Sequence, residues 1–121
     1  MSKVLVVDDS NTLREMISEL LKENGLNIDV ASNGVEALEK IQGNRPDLVV
    51  LDIVMPGMNG YELCRKIKAD PKTQSVPVVM CSSKGEEFDR YWGMKQGADA
   101  YIAKPFHPKE LVGTVKQLLR N

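Results

Sequence analysis

Acidic residues stand where two short apolar runs stop. Asp8-Asp9 follows Val4-Leu5-Val6-Val7, and Asp52 follows Leu48-Val49-Val50-Leu51. Another run, Val78-Val79-Met80-Cys81, stops at Ser82-Ser83, and Tyr101-Ile102-Ala103 stops at Lys104-Pro105. One acid after one strand is weak evidence, because acids often cap the helix that follows. The set is stronger. If the runs are neighbouring parallel strands, three carboxylates, a hydroxyl and an ammonium share one rim. That rim is where open α/β sheets bind ligands. Carboxylates packed together repel, and their pKa values rise unless a cation joins them. Lys104 brings one positive charge, and a hard divalent ion such as Mg²⁺, with oxygen ligands and retained waters, brings two more. The formal sum is then zero. A carboxylate so placed can act as a nucleophile toward phosphorus and form an aspartyl phosphate. The metal and Lys104 would neutralise charge on the phosphoryl oxygens. An ionised carboxylate needs no general base, consistent with a chain that has one histidine, His107.

The elements that must position these groups alternate along the chain. After the first run, Leu13, Met16, Ile17, Leu20 and Leu21 recur at helical spacing, with Ser10 as N-cap and Gly25 as stop. Ile28 and Val30 alternate with polar residues, as on a sheet edge. Val35, Leu38 and Ile41 mark a second helix, capped near Asn33 with Glu36 three residues on and closed by Gly43. Leu48 to Leu51 is apolar on both faces and reads as a central parallel strand. Helices are expected over 61–69, after a Pro- and Gly-rich loop, and over 86–96, ended by Gly97. A last helix opens with Pro108 in its first turn and presents Leu111, Val112, Val115, Leu118 and Leu119 on one face. Alternating β and α elements with short connections imply a parallel sheet with helices on both faces.

Composition excludes several classes. Among 121 residues, Lys plus Arg (16) nearly balances Asp plus Glu (17), so no basic field argues for direct nucleic-acid binding. Apolar runs are too short to span a bilayer, and no signal-peptide pattern follows Met1. Cys64 and Cys81 lack CxxC spacing and read as buried, reduced thiols. The expectation is a cytoplasmic protein. With the final helix expected to run to Asn121, the expectation for 1–121 is a single domain with no output domain.

These residues, in this order, resemble the receiver domain of two-component response regulators across essentially the whole chain. The resemblance is carried by Asp8-Asp9, by Leu51-Asp52-Ile53-Val54-Met55-Pro56-Gly57-Met58-Asn59-Gly60, by Ser82, by Gly97-Ala98-Asp99-Ala100-Tyr101, and by Lys104-Pro105-Phe106. It implies a flavodoxin-like (βα)5 fold, doubly wound, with strand order 2-1-3-4-5. It makes Asp52 the phosphoacceptor. It gives Asp8, Asp9, Asp52 and the backbone carbonyl of Val54 to Mg²⁺, with Mn²⁺ as a substitute. Ser82 becomes the hydroxyl that binds the phosphoryl group and Lys104 its ion-pair partner, with the Lys104–Pro105 bond cis. Tyr101 becomes the aromatic that turns when Ser82 moves, which reshapes the surface of the fourth helix, fifth strand and fifth helix. Trp92, core or exposed, is with Tyr101 a candidate for that partner surface.

The implied partners are a histidine kinase and a downstream target protein, with the domain monomeric or weakly dimeric. The Tyr91-Trp92 pair and the run from Tyr101 to Lys109 look most like regulators of twitching or phototaxis. The alternatives are a phosphorelay carrier that passes the group to a histidine phosphotransfer protein, and a receiver cut from a DNA-binding regulator. An aspartyl-phosphate phosphatase is disfavoured because position 54 is Val, not a second acid. Val54 and Lys84 depart from the family pattern, and both flank the mouth of the site.

Overall fold

A computed structural model describes residues 2–120. The strands are β1 (Lys3–Val7), β2 (Asn27–Ala31), β3 (Leu48–Leu51), β4 (Val78–Ser82) and β5 (Ala100–Ala103). The helices are α1 (Asn11–Glu23), α2 (Gly34–Gly43), α3 (Gly60–Ala69), α4 (Glu87–Lys95) and α5 (Pro108–Arg120). All strand pairs are parallel, in the order β2-β1-β3-β4-β5. This is the flavodoxin-like order that the resemblance implied. The element boundaries differ from the sequence reading by a residue or two.

The period of two along each strand divides the core. Leu5, Val7, Val49, Leu51, Val78, Met80 and Tyr101 pack with Ala37, Ile41, Leu63, Cys64 and Ile67 from α2 and α3. Val4, Val6, Leu48, Val50, Val79, Cys81 and Ile102 pack on the opposite face with Ile17, Leu21, Leu111 and Val115 from α1 and α5. A one-residue slip of any strand would exchange these sets, so the register is firmly held.

Caps fix where the helices begin. The side chains of Ser10, Asn33 and Asn59 accept from the backbone N–H groups of Leu13, Glu36 and Glu62. At the far edge of the sheet, the Asp99 carboxylate accepts from Val78 N–H at 2.8 Å and from Lys68 Nζ at 2.9 Å. It thereby ties α3 to the starts of β4 and β5.

α4 and Tyr101 of β5 stand apart from the rest of the core. α4 buries only Gly93, while Phe88, Tyr91, Trp92 and Met94 are exposed. Tyr101 is 3% exposed, so the placement of Tyr101 on a partner surface is corrected. Its ring fills the space beside Gly93, and its hydroxyl donates to the Lys84 carbonyl.

Gly60 is the tightest joint in the fold. Its N–H donates to the Ile53 carbonyl at 2.8 Å. A Cβ there would overlap the Asp52 carbonyl oxygen and lie 2.7 Å from Ile53 Cα, both rigid backbone. Gly60→Ala is expected to destabilise the domain by about 3 kcal/mol, the scale of forced overpacking, read as a lower midpoint in urea unfolding.

Candidate functional site

The carboxyl ends of β1, β3, β4 and β5 meet at one rim of the sheet. Asp8 follows β1 and Asp52 follows β3, Ser82 is the last residue of β4, and Lys104 follows β5. Parallel pairing places these ends side by side. Asp52 N–H donates to the Val7 carbonyl at 3.0 Å and Lys104 N–H to the Ser82 carbonyl at 2.8 Å, which extends the ladders into the site.

Lys104 is the hub. Its Nζ lies 2.9 Å from Asp8 Oδ2 and 3.7 Å from Asp52 Oδ2. Asp8, only 2% exposed, is held at every polar atom. Its Oδ1 accepts from Ser10 N–H at 2.9 Å, and its backbone carbonyl accepts from Arg14 Nη1 at 2.9 Å. Asp52 Oδ1 accepts from Ile53 N–H at 2.7 Å. Ser82 is fully buried, and its Oγ accepts from Lys84 N–H at 3.2 Å. The Lys104–Pro105 bond is cis.

Asp9 is exposed, and Val54 is 53% exposed. Trp92 is 44% exposed on α4.

Burial holds the Asp52 carboxyl above the ordinary carboxylate range; Asp8 adds to the rise, while Lys104, Ile53 N–H and Ser82 oppose it. Burial alone would depress Lys104, but the Asp8 and Asp52 carboxylates outweigh it and hold the ammonium above its usual value. Burial pushes the Cys81 thiol up to about 12 and the Cys64 thiol to about 11. Neither is poised for thiolate chemistry.

The donor set fits a divalent cation. One carboxylate oxygen from each of Asp8, Asp9 and Asp52 lies within 4.8 Å of the others. These are hard oxygen donors, and with Lys104 counted they leave two formal negative charges. The exposure of Asp9 keeps one side open to water, which suits an ion that retains part of its hydration shell.

Sequence reasoning assembled Asp8, Asp9, Asp52, Ser82 and Lys104, and the structure brings all of them together. It missed Arg14 and Gly60. Arg14 carries no sequence signal, since an arginine in the first turns of a helix is ordinary. Gly60 stood in the quoted segment, but only its approach to the Asp52 backbone shows why it is glycine.

A parallel, doubly wound α/β sheet with an acidic pocket at its carboxyl edge defines the flavodoxin-like class of site. Within that class the chain matches the response regulator receiver domain model over residues 4–116. It is 45% identical, over 98% of its length, to the DNA-binding response regulator MtrA of Mycolicibacterium paratuberculosis. It spans 51% of that protein, about half the length of the curated relatives it matches.

Its fold superposes on the signal receiver domain of a histidine kinase from Syntrophus aciditrophicus with a TM-score of 0.93 at 35% identity, covering 99% of this chain and 91% of that one. Against chemotaxis protein CheY4 of Vibrio cholerae the TM-score is 0.91 at 33% identity, covering 98% of each chain. The chain belongs to the response regulator receiver domain family. The relatives named here differ in output, and twitching or phototaxis is not specifically supported.

The raised Asp52 pKa has a consequence for stability. A carboxyl that binds its proton more tightly folded than unfolded makes folding less favourable as pH rises out of the carboxylate range. Asp52→Asn removes that charge and keeps an acceptor for Ile53 N–H. In chelator at neutral pH the variant is expected to melt a few degrees higher than wild type by calorimetry, at roughly 4 °C per kcal/mol for a domain of this size.

Proposed function

We propose that the chain is a phosphorylatable switch in which Asp52 accepts a phosphoryl group from a histidine kinase. The observation that carries this reading is the convergence of Asp8, Asp9, Asp52 and Lys104 at one sheet edge. An Asp52 carboxylate oxygen attacks the phosphorus of a phosphohistidine. A P–O bond forms as the P–N bond breaks, and the imidazole leaves. Mg²⁺, or Mn²⁺ in its place, held by Asp8, Asp9, Asp52 and the Val54 carbonyl would neutralise charge on the transferred oxygens. Lys104 orients toward the same oxygens from its position 3.7 Å from Asp52, anchored by Asp8.

Ser82 then donates its hydroxyl to the phosphoryl group. Its oxygen can keep accepting from Lys84 N–H while the hydroxyl donates, so one group ties the segment between β4 and α4 to the phosphoryl group. Tyr101, inward and bonded to the Lys84 carbonyl, holds the same segment from its other side. The switch is a shift between two arrangements, biased by local charge. The chemistry ends with transfer and hydrolysis of the phosphoryl group, so the domain is a phosphoacceptor rather than an enzyme acting on other substrates.

Output passes through the surface of α4, β5 and α5 to a target protein. Exposed Tyr91, Trp92 and Met94 support this, since aromatic side chains and Met are enriched at interfaces. The half-length match to a DNA-binding regulator favours, as a second reading, that the same switch drives an attached output domain. A cytoplasmic setting suits two buried free thiols, and among the described residues no helix is long and apolar enough to cross a membrane.

Incubation with acetyl phosphate and Mg²⁺ is expected to add the mass of one phosphoryl group, seen by intact-protein mass spectrometry. Asp52→Asn and a chelator should each abolish the gain. An unchanged wild-type mass, under conditions that label another receiver, would overturn the reading.

A further inference from the structure

α3 starts directly against the backbone of Asp52. Gly60, its first residue, is buried, bonded to the Ile53 carbonyl, and without space for a side chain because the Asp52 carbonyl stands in the way. A shift of the Asp52 backbone is therefore transmitted to the first turn of α3. The next residue crosses to α4. The Tyr61 hydroxyl donates to the Asp89 carbonyl over a long 3.4 Å. One turn further along α3, Arg65 Nη1 donates to Gln96 Oε1 at 2.7 Å, and Cys64 Sγ lies 3.5 Å from the Gln96 carbonyl. α3 thus holds α4 near both ends.

These ties matter because α4 has little else to fix it. Gly93 is its only buried residue, so it gains almost no side-chain burial against the sheet. Few buried apolar contacts mark an element of low local stability, whose position is set by small interactions. Asp89 is central to its first turn. The Asp89 carboxylate closes the capping box by accepting from Glu86 N–H at 3.3 Å, and it pairs with Lys84 Nζ at 4.0 Å. Tyr101 holds the segment before α4 at Lys84, and Tyr61 holds the first turn at Asp89.

We propose that Tyr61 is a second coupling residue, which carries the state of Asp52 through Gly60 and α3 to the first turn of α4, in parallel with Ser82 and Tyr101. The inference rests on Asp52 being the phosphoacceptor. Tyr61 is a positioning residue, since it reaches α4 and not the reacting atoms. Its tie favours the same arrangement as the inward Tyr101. By linkage, an arrangement favoured by the phosphoryl group must in turn favour binding of that group.

Trp92, three residues after Asp89 and the only tryptophan, is a built-in reporter. Titration with beryllofluoride and Mg²⁺, a phosphoryl mimic at Asp52, is followed by Trp92 emission and by hydrogen exchange of residues 86–90. Tyr61→Phe removes one hydroxyl and is expected to raise the mimic midpoint about fivefold, the scale of one neutral hydrogen bond. Tyr101→Phe shifts it separately, and the double variant shifts it by the product, as two separate ties require.

Loss of stability alone would lower the urea midpoint of Tyr61→Phe and leave the mimic midpoint in place. That result, or a Tyr61→Phe titration identical to wild type in both readouts, overturns the proposal. A wild-type protein that neither responds to the mimic nor gains mass with acetyl phosphate would instead overturn Asp52 as acceptor, and with it the premise.

Discussion

The contact on which the site depends is that of Lys104 with two carboxylates. A buried ammonium is costly to strip of water, and so is a buried carboxylate. Neither Lys104 nor Asp8 could occupy its place alone. The 2.9 Å pair between them joins residues 96 positions apart in the chain and connects the ends of β1 and β5, which do not pair directly in the sheet. Asp52, between them just past the end of β3, shares the ammonium at longer range. Three strand ends are thus held in one electrostatic arrangement, and the remaining negative charge leaves the site receptive to a divalent cation.

The rest of the structure keeps that arrangement rigid on one side and yielding on the other. β1, β3 and β4 are buried on both faces, and α1, α2, α3 and α5 each bury apolar residues against them. Asp8 is fixed by its neighbours Ser10 and Arg14 as well as by Lys104. Beyond β4 the order changes. Residues 83–88 are exposed, and α4 is tied near its ends by hydrogen bonds from Tyr61 and Arg65, with Tyr101 holding Lys84 just before it. In the proposed switch, a charge placed at Asp52 would meet a rigid frame at β1 and β3, which leaves α4 as the element free to respond.

Much of this was legible in the residue pattern. The apolar runs gave strand positions because a parallel strand buried on both faces can be little else. The polar groups at their ends gave the site because a core would not select them. Capping chemistry at Ser10, Asn33 and Asn59 is local, and local signals survive folding. What was not legible depends on distance through space. Tyr101 reads as a candidate for the partner surface until Gly93 is seen to leave its ring a slot. Trp92 could have faced either way, because a nine-residue helix with aromatics on several sides has no clear apolar stripe. Asp99 and Arg14 make contacts to backbone groups far away or around a turn, and backbone partners leave no mark on sequence.

Gly93 has a further meaning for how α4 can travel. Where the other helices meet the sheet through interlocking side chains, α4 meets it with bare backbone against Met80 and the Tyr101 ring. Interlocked side chains make a toothed joint, which must unmesh before it can slide. A glycine on an aromatic face makes a smooth bearing. Under the proposed switch, the helix could turn or glide on that face with no side chain of its own to unmesh. A side chain at position 93 would add teeth to that bearing, and the switch would slow before it failed.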